Sequence, residues 1–295
     1  MANELQEGKM HYRKPPWLKR TLPSGPAYEE TRGLLRRGGL QTVCQEARCP
    51  NIWECFSRGT ATFLILGPLC TRNCRFCAVT HGPPAPVDPE EPARVAEAAR
   101  SMGLSYVVIT SVTRDDLPDG GAGVFAKTIE EVRRRNPDAL VEVLVPDFQG
   151  DESALNTVMD AHPDVLNHNL ETVPRLYAIA RPEARYRRSL ALLGQAGGYD
   201  PSLPTKSGLM LGLGEHPEEV KDTLCDLVET GCSILTLGQY LQPTKEHLPV
   251  ERFLRPEEFH GWRQAALEMG FSEVASGPFV RSSYRAKELY QAARH

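Results

Sequence analysis

Six of the eight cysteines in this 295-residue chain fall between residues 44 and 77. In a small secreted protein such crowding would indicate disulfides, but in a long chain with no apolar leader it indicates metal or redox chemistry. The spacing is C-x4-C-x5-C in one set and C-x3-C-x2-C in the other. The first set is Cys44, Cys49 and Cys55, and the second is Cys70, Cys74 and Cys77. Thiolates are soft ligands, which zinc and iron–sulfur clusters favour.

The C-x3-C-x2-C set directly follows the first apolar run, and it offers three ligands where a structural zinc site wants four. Three thiolates on a four-iron cluster would leave one iron open to substrate. The position agrees with this interpretation, because active sites of α/β barrels form in the loops after the strands. A zinc site completed by a distant residue stays the alternative.

Short apolar runs, rich in β-branched residues, alternate with helical patterns from residue 61 onward. Six such runs lie at 61–67, 105–112, 139–146, 165–171, 207–214 and 233–240. Helical spacing of apolar residues marks 92–103, 124–136 and 217–231. Six β-then-α units in series predict a parallel sheet, since each parallel pair needs a crossover. We expect an α/β fold, a partial (β/α)6 barrel, although an open doubly wound sheet has the same local pattern.

The sequence divides into three parts. Residues 1–60 have few apolar runs and predict an irregular extension that a metal must order. Residues 61–250 form the barrel. Residues 251–295 predict a helix, a short strand, a loop and a final helix, and we expect this segment to cover the barrel mouth.

The net charge of −4 is unevenly spread, because residues 1–40 carry eight Lys or Arg and four Glu. That basic segment could meet nucleic acid or an acidic protein, or could be a solvated tail. No apolar run approaches the roughly 20 residues of a membrane span. We expect a soluble cytoplasmic protein whose partners are neither nucleic acid nor membrane.

The motifs resemble those of lipoyl synthases, within the radical S-adenosylmethionine superfamily. An aromatic residue before the last cysteine, Phe76, is typical of that superfamily. The resemblance runs nearly end to end and includes KPPWLK at 14–19, CQEARCPNIWEC at 44–55, TSVTRDDLPDGGA at 110–122, NHNLETV at 167–173, KSGLMLGLGE at 206–215, QYLQP at 239–243 and RSSYRA at 281–286. The cysteine spacings show no departure from the family pattern.

The resemblance implies two [4Fe–4S] clusters and S-adenosylmethionine as cofactors. Cys70, Cys74 and Cys77 would hold the cluster that binds S-adenosylmethionine, and Cys44, Cys49 and Cys55 an auxiliary cluster that Ser283 completes. The residues that would contact S-adenosylmethionine are Thr110, Ser111, Asp115, Asn167, Asn169, Glu171 and Arg181. Side chains two apart on a strand share a face, so Asn167, Asn169 and Glu171 could all point inward. Local turn and capping hydrogen bonds are the alternative role for these residues, and a helix cap is the alternative for Ser283.

The activity implied by the resemblance is radical insertion of sulfur at C6 and C8 of a protein-bound octanoyl-lysine, with the auxiliary cluster as sulfur donor. The implied partners are octanoylated carrier domains (dehydrogenase E2 subunits and the glycine cleavage H protein), a ferredoxin or flavodoxin reductant, and iron–sulfur carrier proteins. Both clusters must face one cavity, so we expect the N-terminal extension to fold over the barrel mouth. The alternatives are another radical enzyme with an auxiliary cluster and a zinc-binding interaction module.

Overall fold

Each of the six apolar runs overlaps a strand of one sheet in the computed structural model, which describes residues 14–19 and 25–294. Within these residues the sheet has eight strands in sequential order. They are β1 (Gln41–Thr42), β2 (Thr62–Ile65), β3 (Tyr106–Ser111), β4 (Leu140–Leu144), β5 (Val165–Asn167), β6 (Thr205–Leu211), β7 (Ile234–Gln239) and β8 (Glu273–Gly277). Strands β2 to β8 pair in parallel, and β1 pairs antiparallel with β2. The first and last strands do not pair, so the sheet is an open barrel and the expected fold class is confirmed.

The described residues form eleven α-helices, of which α4 to α10 connect parallel strands, as the periodicity predicts. They are α1 (Pro26–Arg37), α2 (Val43–Glu46), α3 (Ile52–Ser57), α4 (Glu91–Ser101), α5 (Ala122–Arg135), α6 (Glu152–Asp160), α7 (Tyr177–Ala180), α8 (Tyr186–Tyr199), α9 (Pro217–Glu229), α10 (Pro256–Met269) and α11 (Ala286–Ala293). The described residues contain no helix that is long and apolar enough to cross a membrane.

The strands present an apolar face to the helices. Val107, Ile109, Val141 and Val143 are fully buried in one apolar cluster with side chains of α4, α5 and α6. Alternation along the strands directs Thr110 and Glu142 to the opposite face, which is the barrel interior. Polar side chains therefore point into the barrel interior, and those that lack a partner there are available to bind a ligand.

Strand β5 is shorter than the sequence pattern indicates. The run 165–171 predicts one strand, but regular pairing stops at Asn167 and resumes with β6 only at an isolated bridge from Glu171 to Leu209. Glu171 has a φ of 69°, in the left-handed region that few residues other than glycine adopt. The prediction of one continuous strand over 165–171 is therefore wrong beyond Asn167, although Asn169 still lies on the interior side, where a Cβ on Gly208 would meet its Oδ1.

The extension before β2 packs along the edge of the barrel. Pairing of β1 with β2 starts this arrangement, with Thr42 opposite Phe63. Helix α1 then packs on α3, where the Tyr28 ring stacks on Trp53 at 4.4 Å and Thr31 Oγ1 donates to the carbonyl oxygen of Phe56 at 2.9 Å. Of the basic segment 1–40, residues 1–13 and 20–24 lie outside the described residues.

The C-terminal segment enters the open side of the barrel. After β8 the chain passes so close to β7 that a Cβ on Gly238 would overlap the carbonyl oxygen of Val280. Ser282 Oγ then donates to Asn169 Oδ1 at 2.8 Å, beyond the carboxyl end of β5. Helix α11 follows, and its Tyr290 ring lies 5.9 Å from that of Tyr106 at the start of β3.

Candidate active site

Cys70, Cys74 and Cys77 lie together in the loop that leaves the carboxyl end of β2. Cys70 Sγ accepts a hydrogen bond from the Thr113 backbone N–H at 3.3 Å. Burial raises the pKa of Cys74 to about 12 and that of Cys77 to about 11, and the neighbouring thiols add to both shifts. All three side chains are partly exposed, and a metal that binds Cys74 and Cys77 must displace their protons.

Arg72 anchors the cysteine loop from one side. Its guanidinium donates to both carboxylate oxygens of Asp115, at 2.6 and 2.9 Å, and to Asp147 at 2.6 Å. Burial opposes the charge on Arg72, but its hydrogen bonds to the two carboxylates raise its pKa. Asp115 follows β3 and Asp147 follows β4, so one arginine ties the loop to the next two strands. Sequence reasoning missed Arg72 and Asp147, although an arginine inside a cysteine motif was a visible signal.

The loop after β7 holds the other side of the cysteine loop. His247 Nε2 donates to the carbonyl oxygen of Cys77 at 2.9 Å, and the Leu248 backbone N–H donates to that of Arg75 at 3.0 Å. His247 Nδ1 is then the acceptor for the Thr244 hydroxyl at 2.8 Å. Thr244 and His247 come just after the motif QYLQP at 239–243, outside the motifs that carry the family resemblance.

Asn169, Glu171 and Arg181 lie beside the first cysteine set. Arg181 Nη1 donates to the carbonyl oxygen of Asn169 at 2.9 Å, while its buried Nε has no partner within the described residues. Asn169 Nδ2 donates to Glu171 Oε1 at 3.1 Å. Burial raises the pKa of Glu171, and the charges of Arg181 and Arg281 oppose that shift. An unpartnered guanidinium N–H and a carboxylate side by side suit a ligand that carries both a carboxylate and an ammonium group.

The other four predicted cofactor contacts have different surroundings. Thr110 Oγ1 donates to the Leu144 carbonyl oxygen at 3.0 Å, and the buried Ser111 Oγ has no partner in the described part of the chain. Both Asp115 oxygens accept from Arg72, as described. Asn167 Nδ2 donates to Glu142 Oε1 at 3.0 Å, which leaves its buried Oδ1 without a partner among the described residues. Ser111 and Asn167 thus keep hydrogen-bonding capacity, whereas Asp115 already serves the cysteine loop.

Cys44, Cys49 and Cys55 form the second group, on α2, α3 and the turn between them. Thr42 caps α2, with its hydroxyl accepting from the Gln45 N–H at 3.3 Å. Burial raises the pKa of Cys44 to about 12 and that of Cys55 to about 11, and Cys49 adds to both shifts. The three thiols line a cavity of about 350 Å³ together with Ser283 and Arg281. Ser283 therefore lines the same cavity as this set, although it lies 228 residues after Cys55 in sequence.

The two cysteine sets lie at opposite ends of β2. Because β1 runs antiparallel to β2, the chain after Thr42 reaches the amino end of β2, where Cys44 meets Thr62. Cys70 follows the carboxyl end, and four strand residues span roughly 10 Å. The auxiliary cysteines of the N-terminal extension therefore lie near the start of β2 and β3 and not at the barrel mouth, whereas Trp17 of the same extension donates its Nε1–H to the Leu254 carbonyl oxygen at 3.2 Å, beyond the carboxyl end of β7. Arg281 lies between the sets, since it lines the Cys44 cavity and acts on Glu171.

A buried ion pair lies in the barrel interior. Lys206 Nζ lies 2.9 Å from Glu142 Oε1, and both side chains are 1% exposed. Tyr106 Oη donates to Glu142 Oε2 at 2.7 Å, and Asn167 contributes the contact described above. Sequence reasoning missed this network because its members come from four strands. Among residues 14–19 and 25–294, no group of three or more His, Cys, Asp or Glu, including the two cysteine sets, is arranged to hold a single metal ion.

His168 is buried and lies against helix α8. Its Nδ1 donates to the Val145 carbonyl oxygen at 2.8 Å, so its Nε2 accepts from the Ser189 hydroxyl of α8 at 2.9 Å. Burial, reinforced by Arg181, lowers the pKa of His168 from 6.5 to about 4. The imidazole is therefore neutral in the folded protein.

We predict that His168 makes stability fall as pH falls from 6.5 toward 4. In that window the unfolded chain binds a proton at His168 and the folded chain does not, so the free energy of unfolding decreases by about 1.4 kcal/mol per pH unit. Urea titrations across that range should show a smaller decrease for His168→Asn, whose amide can still donate to Val145. An equal decrease in both proteins would contradict a neutral, buried His168.

Comparisons with known proteins match both the barrel and the N-terminal part of the chain. The radical SAM superfamily model matches residues 64–227, and the model for the N-terminal domain of lipoyl synthase matches residues 2–49. A lipoyl synthase from Desulfotalea psychrophila is 59% identical over 285 residues, which cover 97% of this chain and 95% of that protein. The chain belongs to the lipoyl synthase family. A lipoyl synthase from Rubrobacter xylanophilus is 57% identical and covers 98% of this chain and 90% of its own.

Solved structures support the fold. Streptococcus suis SuiB bound to S-adenosylmethionine superposes with a TM-score of 0.54 at 12% identity, over 76% of this chain and 51% of that chain. Methylornithine synthase (PylB) superposes with a TM-score of 0.52 at 14% identity, over 88% of this chain and 84% of that chain. Membership of the lipoyl synthase family makes the protein a sulfur-inserting radical enzyme for which S-adenosylmethionine and iron–sulfur chemistry are required. It also favours this activity over the other radical enzyme and over the zinc-binding module.

Proposed function

We propose that this enzyme inserts two sulfur atoms at C6 and C8 of an octanoyl-lysine carried by a lipoyl domain, with one [4Fe–4S] cluster at each cysteine set. The observation that carries the proposal is the placement of two separate groups of three thiols at opposite ends of β2, each with a different additional ligand group beside it. Arg181 and Glu171 accompany the first set, and Ser283 accompanies the second.

When bound, the first cluster with S-adenosylmethionine supplies the radical that removes hydrogen from carbon, and the second cluster supplies sulfur. The chain's own residues bind and orient these groups. Cys70, Cys74 and Cys77 would hold three irons and leave the fourth for S-adenosylmethionine. The free Nε of Arg181 suits the methionyl carboxylate, and Glu171 suits the ammonium group.

Four further residues complete the proposed cofactor contacts. Asn169 is held by Glu171 and Ser282, so it presents a fixed amide beside the cysteine loop. The unpartnered oxygen of Asn167 suits a hydroxyl group of a ribose, and Thr110 lies on the same interior face. Ser111, whose hydroxyl is also unpartnered, ends β3 and would contact the cofactor only beyond the carboxyl end of the strand. We propose that Asp115 does not contact the cofactor directly. It accepts hydrogen bonds from Arg72 and so fixes the cysteine loop.

At the second set, Cys44, Cys49 and Cys55 would hold three irons and Ser283 the fourth. An alkoxide oxygen is a harder and more displaceable ligand for iron than a thiolate. Ser283 therefore suits a cluster that must give up sulfide during turnover. Its place in the cavity beside all three thiols supports this role over that of a helix cap.

The three segments have distinct proposed tasks. Residues 1–60 carry the auxiliary cysteines, residues 61–250 form the radical barrel, and residues 251–295 supply Ser283. The contacts of Ser282 with Asn169 and of Tyr290 with Tyr106 support the last assignment, since they fix the C-terminal segment inside the barrel opening.

We further propose that the carriers are dehydrogenase E2 subunits and the glycine cleavage H protein, that a ferredoxin or flavodoxin supplies electrons, and that iron–sulfur carrier proteins rebuild the spent cluster. A cytoplasmic location stays a prediction from the sequence. Competition between purified octanoylated carriers for a limiting amount of enzyme would rank them. Equal use of a free octanoyl-lysine and of whole carriers would count against carrier recognition.

Counting iron and sulfide tests the assignment of two clusters. Anaerobically reconstituted protein should bind about eight irons and eight sulfides per chain. Alanine at Cys70, Cys74 and Cys77 together should halve both values, and so should alanine at Cys44, Cys49 and Cys55. The exposed Cys225 on α9 provides the control, since Cys225→Ala should leave both values unchanged. Retention of the full iron content in either triple variant would contradict the assignment.

A further inference from the structure

Two residues inside the auxiliary cysteine loop reach the C-terminal segment on either side of Ser283. Asn51 Nδ2 donates to the Phe279 carbonyl oxygen at 2.7 Å, four residues before the serine. Tyr284, the residue after the serine, donates its hydroxyl hydrogen to the Glu54 carboxylate, with oxygen distances of 3.0 and 3.2 Å. The serine is thus bracketed by two contacts from the stretch between Cys49 and Cys55.

Both residues stand where helix α3 would ordinarily use them for capping. Asn51 precedes the first helical residue and Glu54 is the third, the spacing at which a side chain pair caps a helix start. The Asn51 side chain makes no capping hydrogen bond to α3, and it is 1% exposed. Its amide is directed to Phe279 instead. The Oδ1 of Asn51, which is the atom that could cap α3, is buried and has no partner among the described residues, so this side chain is oriented toward the C-terminal segment and not toward the helix.

The segment that carries Ser283 is otherwise irregular. Residues 278–285 lie between β8 and α11, and Arg285 has a φ of 52° in the left-handed region. Its guanidinium lies 3.6 Å from Glu54 and 5.3 Å from the centre of the Tyr284 ring. A non-glycine residue keeps such a conformation only where its surroundings hold it. Glu54 contacts both Tyr284 and Arg285, the two residues that follow the serine, and these contacts help to hold Arg285 in its left-handed conformation.

We infer that Asn51 and Glu54 are positioning residues that hold Ser283 against Cys44, Cys49 and Cys55. The inference rests on the proposed role of Ser283 as an iron ligand. Ordering an irregular segment costs conformational entropy, and this cost opposes binding of any ligand that the segment carries. A weak ligand therefore binds well only if other contacts have already fixed the segment. With the segment fixed at Phe279 and Tyr284, Ser283 can leave the iron and return without the segment leaving the site.

The test measures how fast iron leaves the auxiliary site. Full-length protein with Cys70, Cys74 and Cys77 replaced by alanine is reconstituted anaerobically, so that iron is held at the second set, and is mixed with an iron chelator. Tyr284→Phe removes one hydroxyl and should speed iron loss about tenfold, as loss of a hydrogen bond to a charged group would. Asn51→Ala tests the other contact independently and should act in the same direction.

A matched control is available on the far side of the barrel. Tyr199, on α8, also donates its hydroxyl hydrogen to a carboxylate, that of Asp160. Tyr199→Phe therefore makes the same chemical change away from the site and should leave iron loss unchanged. In enzyme with all six clustered cysteines, Tyr284→Phe should slow sulfur insertion while S-adenosylmethionine cleavage stays within about twofold.

The serine variant separates the two proposals. Ser283→Ala should itself speed iron loss, and Tyr284→Phe should then add nothing, because it acts through the serine. If Ser283→Ala speeds iron loss but Tyr284→Phe and Asn51→Ala match the Tyr199→Phe control, the positioning inference is wrong and the ligand proposal stands. An undiminished effect of Tyr284→Phe on top of Ser283→Ala also overturns the inference. No effect of Ser283→Ala overturns the ligand proposal.

Discussion

Cys74→Ala is expected to lower cleavage of S-adenosylmethionine at least a thousandfold. Loss of a residue that only supports a metal ligand typically costs about 10- to 100-fold, so loss of the ligand should cost more. Cys74 lies between Cys70 and Cys77 and is the thiol on which the charge of Arg181 acts most directly. Without it the first set has two thiolates, too few to hold a cluster with a single open iron.

Two further cysteine variants make the measurement specific. Cys225→Ala changes an exposed thiol of α9 and should cleave S-adenosylmethionine at the wild-type rate. Cys49→Ala should still cleave it, because Cys49 lies at the other end of β2, but should give no sulfur-containing product. The rate is followed by the release of 5′-deoxyadenosine from anaerobically reconstituted protein. If Cys74→Ala keeps more than about a tenth of the wild-type rate, the first set does not hold the reactive cluster.

Lys206→Met is expected to lower the free energy of unfolding by about 3–5 kcal/mol, the usual cost of removing one partner of a buried ion pair. The methionine fills much of the same volume, so the loss is mainly electrostatic. Glu142 would remain buried with Tyr106 and Asn167 as its hydrogen-bond donors but with no cation. Urea unfolding under anaerobic, reducing conditions measures the difference.

The double variant Lys206→Met with Glu142→Gln distinguishes charge from packing. Because it leaves no buried charge unpaired, it should recover much of the stability lost in Lys206→Met. Arg133→Met serves as the control, since Arg133 pairs with Asp164 at the surface, where its side chain is 35% exposed and the pair should contribute about 1 kcal/mol or less. A loss of under 1 kcal/mol in Lys206→Met would show that the pair is not the element that stabilises the interior.

The sequence predicts the repeating part of this fold well. Continuous apolar runs such as residues 106–110 and helical spacing such as that of α5 are local patterns, so six strands and their helices can be located without a structure. The two cysteine sets are equally visible, because spacing within a short segment is local. The end of β2 at which each set lies, however, cannot be predicted from local spacing. That depends on β1, a two-residue strand with no pattern of its own, whose antiparallel pairing sends Cys44 to the amino end of β2.

The supporting contacts were hidden for a related reason. Arg72 meets carboxylates 43 and 75 residues away, and Lys206 meets Glu142 across 64 residues. Such pairs exist only once the strands lie side by side. The break in β5 was also unpredictable, because the run from Val165 to Glu171 looks like one strand until the left-handed φ of Glu171 interrupts it. The periodicity of the sequence predicts which helices and strands form, whereas the contacts between polar side chains depend on how those elements pack.

The most direct test of the central claim is the mass of an octanoyl-lysyl peptide after anaerobic incubation with reconstituted enzyme, S-adenosylmethionine and dithionite. We predict a gain equal to two sulfur atoms, because each C–H that reacts becomes C–SH and dithionite keeps both thiols reduced, and we predict that Cys49→Ala abolishes this gain while it still releases 5′-deoxyadenosine. Release of 5′-deoxyadenosine by the wild-type enzyme with no gain of sulfur in the peptide would contradict the account.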